Sequence, residues 1–302
     1  MILGIQFDMH FFLHFVFNPP HALLVGVLIT VVAAIIAESV GTMIGVLSAL
    51  ACISRRLPLR IIGKLYVWFF RGVPTLVQIF MFYFGLPALL GIDLFPTNMG
   101  FVGVYINGAI VAGVLALALN EGAYMSEIVR AGILSVDPGQ REAALAVGMT
   151  SRTAMRRIVL PQAVRVIIPP LGNQFNNMLK ITSLLSVIGI EELFRVTQDI
   201  EASSFRVFET FLGCAVYYLA LVSIWSIIQR LIERRFDFAR VKSNRSLVTR
   251  ILGKSGRGSG ARQAQNPTNF GEGAIQRQLK EFEPDPVTKT TPEFSPRGGS
   301  NV

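Results

Sequence analysis

Five long apolar stretches, joined by connections that alternate between basic and non-basic, constrain this chain more than any other feature of it. The stretches run over about 23–53, 65–90, 102–128, 164–190 and 208–232. Each reaches the roughly 20 residues a helix needs to cross a bilayer. The connection after the first holds Arg55, Arg56, Arg60 and Lys64, with Arg71 just beyond, and the next holds only Asp93. Arg130, Arg141, Arg152, Arg156 and Arg157 follow the third stretch. After the fourth, Glu191, Glu192, Asp199, Glu201 and Glu209 outweigh Arg195 and Arg206. Arg230, Arg234, Arg235 and Arg240 follow the fifth. Lysine and arginine are retained on the cytoplasmic side, so this alternation predicts an outside N-terminus and a cytoplasmic C-terminus.

Composition agrees: 16% of residues are charged and the mean hydropathy is +0.52, against roughly a quarter charged in a soluble domain. The net charge of +9 is explained by orientation, and no nucleic-acid partner is needed for it. Cys52 and Cys214, both in apolar segments, exclude a disulfide framework or a cysteine-built metal site. Residues 1–21 carry no early positive charge and do not read as a cleaved signal. Phe11–Phe17 is too short to span and reads as an interfacial segment on the outside. His10 and His14 lie one helical turn apart there, too few ligands for a metal. Residues 241–302 lose all long apolar runs and are expected to form a disordered cytoplasmic tail. The tail contains Gly253-Lys254-Ser255, but Val248 stands where a phosphate-binding loop needs its first glycine, so the chain is not expected to hold a nucleotide.

The connection at 136–162 carries the most information. Asp137-Pro138-Gly139-Gln140 predicts a helix start, with Asp as N-cap, Pro at the first helical position and Gln closing a capping box. The helix carries Glu142, Ala143 and Ala144 and should stop at Gly148. Thr150 can cap a second helix that Pro161 ends, or Pro161 begins the next.

Glu142-Ala143-Ala144, three residues, Gly148, nine residues, then Ile158-Val159-Leu160-Pro161 resembles the EAA loop of bacterial ABC importer permeases at every fixed position. Other stretches resemble the polar-amino-acid branch of that family: Phe70-Arg71-Gly72-Val73-Pro74-Thr75-Leu76-Val77-Gln78, Tyr83-Phe84-Gly85-Leu86-Pro87 and Ala123-Tyr124 with Glu127, Ile128 and Arg130. Pro169–Asn173 and Lys180-Ile181-Thr182-Ser183-Leu184 complete the set, and the likeness covers about 22–235. Ile181 departs from it where many relatives are polar. The resemblance implies that the first loop helix is a coupling helix docking on a cytoplasmic ATPase subunit. Glu142 would make polar contacts there, Ala143 and Ala144 would allow close approach, and Gly148 would allow the turn. Ile158, Leu160 and Pro161 complete the coupling set.

Within the spans, Asn173, Asn176, Asn177 and Lys180 fall at helical spacing, with Ser183 following. Such a stripe is costly against lipid and should face protein or water. It fits a substrate pathway or interhelical hydrogen bonds at a dimer seam. Lys180 wants an anionic ligand or a carboxylate such as Glu38 or Glu127. Glu38, mid-span, would favour a cationic group or pair with a base. Gln78 and Thr182, in the matched stretches, join these as candidate pathway residues.

The expected protein is an all-α integral membrane protein of five transmembrane helices. Its expected fold is that of a type I ABC importer permease of the histidine–glutamine kind, with a disordered C-terminal tail. It would translocate a polar amino acid or analogue across the inner membrane, beside a second permease (itself or a paralogue), two ATPase subunits and an external binding protein. ATP and magnesium would sit on the ATPase, and this chain would bind no cofactor. The alternatives are an ion-coupled secondary carrier, for which no paired halves are evident, and an intramembrane enzyme. For the latter no Ser/His dyad, His cluster or paired aspartates lies in the spans.

Overall fold

A computed structural model describes residues 7–96, 99–101 and 104–236; the tail expected over 241–302 lies outside the described residues. Helix α1, Met9–Phe17, is capped by Asp8, whose carboxylate accepts from Phe11 N at 2.9 Å. Helix α2 runs His21–Cys52. Helix α3, Leu57–Gly72, takes up Arg60 and Lys64, which the sequence alone placed in a connection.

The second expected span is not continuous. Helix α3 is followed by α4, Thr75–Phe80, a π turn at Met81–Gly85 and α5, Leu86–Leu90, with a bend of 107° between Leu57–Gly72 and Thr75–Leu90. Pro74 causes this, since it lacks an N–H and pushes the preceding residue out of the helical region. Val73 is accordingly extended, at φ −98° and ψ 133°. A small antiparallel hairpin, β1 Met99–Phe101 with β2 Val104–Ile106, interrupts the helical order. The third span therefore begins later than expected: α6 runs Gly108–Leu134, with Asn107 capping it by accepting from Ala109 N.

Helix α7, Pro138–Ala146, and α8, Ser151–Ala154, occupy the loop. The second loop helix does not end before the span: α8 continues through a π turn, Met155–Val159, into α9, Leu160–Ile181. Thr182–Ile188 then tightens into a 3-10 helix that stops at Gly189, φ +79°. Helix α10, Leu193–Ser204, fills a connection for which no helix was expected, and α11 spans Val207–Phe236.

Among the described residues α2, α6 and α11 are long and apolar enough to cross a membrane, and the bent pair makes a fourth. Helix α9, at 22 residues, is long enough at 1.5 Å per residue, about 33 Å. It falls short on apolarity because Arg165, Asn173, Asn177 and Lys180 occupy its exposed side.

The fold is centred on α2 against α6. Gly41 and Gly45 let the helices touch: a Cβ at 41 would meet Glu121 Cβ at 2.8 Å, and one at 45 would meet Met125 Cβ at 2.5 Å. Around this seam Ala33, Ala34, Ala37, Leu117, Phe175 and Leu179 form the main core.

Candidate coupling and translocation sites

The loop helix is capped by Asp137 as expected, but Gln140 makes no side-chain bond back to Asp137 N, so the capping box does not close. Asp137 Oδ1 accepts from Gly139 N at 2.8 Å, and Pro138 takes the first turn, where no N–H is needed. At the other end Met149 N donates to Ala144 O and Gly148 N to Leu145 O, both at 3.0 Å. This is a Schellman stop, with Gly148 left-handed at φ +84°. Arg141 Nη2 donates to Ser151 Oγ at 3.0 Å and ties α7 to α8.

Ala144 packs inward, while Glu142 and Ala143 are exposed. Leu145 and Val147 are exposed beside them, Val147 at 78%. This exposed leucine and valine bracket the helix end at positions that the spaced motif does not itself mark. In the second helix Val159 is buried and Ile158 half-buried, while Leu160 and Pro161 reach the surface. The Glu127–Arg130 pair forms at 2.6 Å one turn apart on α6, and the Arg71 guanidinium lies 5.5 Å from the Tyr124 ring centre.

Helix α9 has two faces. Leu171, Phe175 and Leu179 turn toward α2 and α11 and line a cavity of about 550 Å³ together with Glu38. Asn173, Asn177 and Lys180 are exposed on another side. Asn176 departs from that stripe, and its Nδ2 donates to Gln229 Oε1 at 3.4 Å. Two more bonds fasten α11 to α9 next to Pro169 and Pro170: Trp225 Nε1 to Gly172 O at 2.8 Å and Gln229 Nε2 to Pro169 O at 3.3 Å. Lys180 pairs with neither Glu38 nor Glu127 among the described residues, because it lies on the far side of α9 from one and Arg130 holds the other. Ser183 sits beside Lys180 at a smaller cavity formed with Phe194, Phe211 and Tyr218.

The remaining candidates differ in what their polar atoms do. Gln78 is 1% exposed, and its amide donates to Phe70 O at 2.8 Å and Val73 O at 2.7 Å, so it holds the bend. Thr182 is buried and donates back to Leu179 O at 2.8 Å, while Ser183 donates to Lys180 O at 2.7 Å. Glu38 is 5% exposed, and both its carboxylate oxygens lack a hydrogen-bond partner among the described residues.

Glu121, Glu192 and Arg165 are among the polar side chains to which sequence reasoning gives no site role. Glu121 is buried on α6, its carboxylate held by Gln174 Nε2 at 3.1 and 3.3 Å. Glu192 is fully buried, capping α10 through Phe194 N and Arg195 N and accepting from Tyr218 Oη at 3.2 Å. Arg165 is exposed on the first turns of α9. Glu121 sits four residues after Leu117 on the α6 core face, and a helical count from it would have found it.

The chain as a whole is similar to known permeases. The chain is 43% identical over 203 residues to the probable amino-acid permease protein YxeN of Bacillus subtilis (strain 168), covering 67% of this chain and 84% of that protein. It is 39% identical over 214 residues to the L-cystine transport system permease protein TcyB of the same organism, covering 70% and 85%. The structure resembles the crystal structure of an amino acid ABC transporter with histidines, at TM-score 0.66 and 35% identity, covering 76% of this chain and 100% of that chain. A likeness to the inward-facing MetNI methionine ABC transporter, at TM-score 0.56 and 16% identity over 71% and 95% of the chains, is one of fold. Residues 41–238 match the family described as binding-protein-dependent transport system inner membrane component, and the chain is a multi-pass member of that permease family.

Proposed function

We propose that this chain is the translocating subunit of an ATP-driven importer for a polar amino acid or a close analogue. The observation that carries the reading is α7: a short helix with a firm cap at one end and a Schellman stop at the other, presenting Glu142, Leu145 and Val147 outward. Such a helix suits the groove of an ATPase subunit. Closure of two such subunits around ATP would push α7 and, through the continuous helix from α8 to α9, swing the core between outward and inward access. This chain would itself do no covalent chemistry, and ATP and magnesium would be held by the partner.

The amino-acid substrate rests on the names of the similar permeases, and the external binding protein on the family description. A second permease, self or paralogue, would cover the exposed side of α9, where Arg165, Asn173, Asn177 and Lys180 would otherwise meet lipid. The cytoplasmic end would be the one where Arg60, Lys64 and Arg130 gather around the ends of α2, α3 and α6. On this reading the N-terminus would lie outside and the C-terminus inside, as the alternation of basic connections predicts.

Purification from native membranes should yield a stoichiometric ATPase with this chain. Glu142→Lys should insert normally yet lose the ATPase and ATP-dependent uptake. Uptake in proteoliposomes without ATP, by this chain alone, would return the reading to an ion-coupled carrier.

A further inference from the structure

We propose that the cavity between α2, α9 and α11 is a binding site for an organic monocation, an ammonium carried on an aliphatic or aromatic body. The site lies apart from the exposed polar stripe of α9. Glu38 is the only acidic or basic side chain among the residues that line it. Its carboxylate is buried, and neither oxygen has a partner among the described residues. The contrast with the other buried acids is direct, since Gln174 satisfies Glu121 and four donors surround Glu192. A buried carboxylate without donors is expensive, and either a held proton or a bound cation offsets that cost; a cation that binds takes the place of the proton.

The walls set the class of cation. Phe175 and Trp225 lie with ring centres 4.2 Å apart and both line the cavity, and Trp225 keeps its N–H engaged with Gly172 O. Aromatic faces attract a cation within about 6 Å. The rest of the lining is mostly aliphatic, with hydroxyls only from Ser39 and Thr42. A volume of about 550 Å³ is within the usual range for a small organic ligand. A zwitterionic amino acid fits poorly, because its carboxylate would meet Glu38 with no lysine or arginine to balance it. A lipid amine also fits poorly: Glu38 lies 17 residues from His21 and 14 from Cys52, which is about 26 and 21 Å from the helix ends at 1.5 Å per residue. Lipid headgroups sit at the ends.

The chain has two tryptophans, and Trp68 is 71% exposed on α3. A Trp68→Phe background therefore leaves Trp225 as a reporter inside the cavity. The full-length protein in nanodiscs would be titrated with phenylbutylammonium, with the neutral isostere phenylbutanol, and with L-lysine. We expect a saturable fluorescence change and a raised Tm with phenylbutylammonium. Glu38→Gln should weaken that binding at least tenfold while leaving the unliganded Tm near wild type. Phenylbutanol should bind weakly and identically in both. Equal ammonium binding in wild type and Glu38→Gln, or no saturable change in either fluorescence or Tm, overturns the site. Lysine binding that depends on Glu38 and exceeds phenylbutylammonium binding overturns the monocation assignment in favour of cargo. None of these outcomes depends on ATP-driven uptake, so the importer reading stands or falls separately.

Discussion

The side-chain amide of Gln78 donates to the carbonyls of Phe70 and Val73 at once, closing the bend between α3 and α4 from the inside. Pro74 breaks the helix and leaves those carbonyls without their normal donors. Asn120 of α6 adds a bond to Phe70 O at 3.0 Å and one to Gln78 Oε1 at 3.3 Å, which ties the bend to the core. In Gln78→Leu the Phe70 carbonyl keeps Asn120, but the Val73 carbonyl is orphaned. A buried polar group left unpaired costs about 1–3 kcal/mol. Thermal unfolding in detergent should show a matching loss of stability. Weaker cargo affinity at unchanged stability would instead place Gln78 in the transport path.

Gly148 stops α7 in the left-handed region, and a Cβ there would have nothing within 4 Å. Its requirement is therefore conformational. A non-glycine residue in that region costs about 1–2 kcal/mol, and asparagine tolerates it best. ATP-dependent uptake should fall in the order Gly148→Asn, Gly148→Ala, Gly148→Val, with Asn nearest wild type. Loss by all three to the same degree would mean that the glycine is needed for close approach to the partner.

The loop was legible because its signals are local. Asp137, Pro138, Gly148 and Thr150 each act within one helical turn, and the structure realises every one of them. The bend at Pro74 was less so. A hydropathy average runs across Val73 and Pro74 without noticing that one lost donor turns the chain by 107°. A helical wheel gives α9 one polar face, because Asn173, Asn176 and Asn177 are adjacent on it. Only the position of Gln229 on α11 shows that Asn176 turns inward. Glu38 is visible as a mid-span acid, but its lack of a partner depends on how α2, α9 and α11 pack and is not written in any one segment.

Helix α1 is pinned by charge. Asp8 N donates to Glu209 Oε1 at 2.8 Å, and Arg206 pairs with the Asp8 carboxylate while lying 4.9 Å from the Phe11 ring centre. The Phe11 backbone N–H first, and the Arg206 guanidinium second, hold the Asp8 carboxyl below its ordinary value of 3.8. A lowered folded value means the contribution is complete above the unfolded value and is lost as pH falls through the folded one. Amide protection in α1, taken relative to the intrinsic exchange rate at each pH, should therefore be steady at neutral pH and fall below about pH 4. Asp8→Asn should be less protected at neutral pH and show less further change on acidification. Protection already lost above about pH 5 would assign the anchor to another group.

Two glycines approached closely by neighbours should differ in what replacing them costs. At Gly45 a Cβ would lie 2.5 Å from Met125 Cβ and 3.0 Å from Gly122 O, both fixed parts of α6. At Gly172 it would fall inside the Gln229 side chain, which is long and can swing away. Overpacking costs about 1–3 kcal/mol when the neighbours cannot move. Gly45→Ala should thus lower the unfolding temperature clearly, and Gly172→Ala only slightly, through the weakened contacts of Gln229 with Pro169 O and Asn176. Adding Met125→Ala should not rescue Gly45→Ala, because alanine keeps the Cβ that is in the way; Met125→Gly removes it. Rescue by alanine would show that the α2–α6 seam yields by side-chain packing and that its backbone spacing is not the constraint.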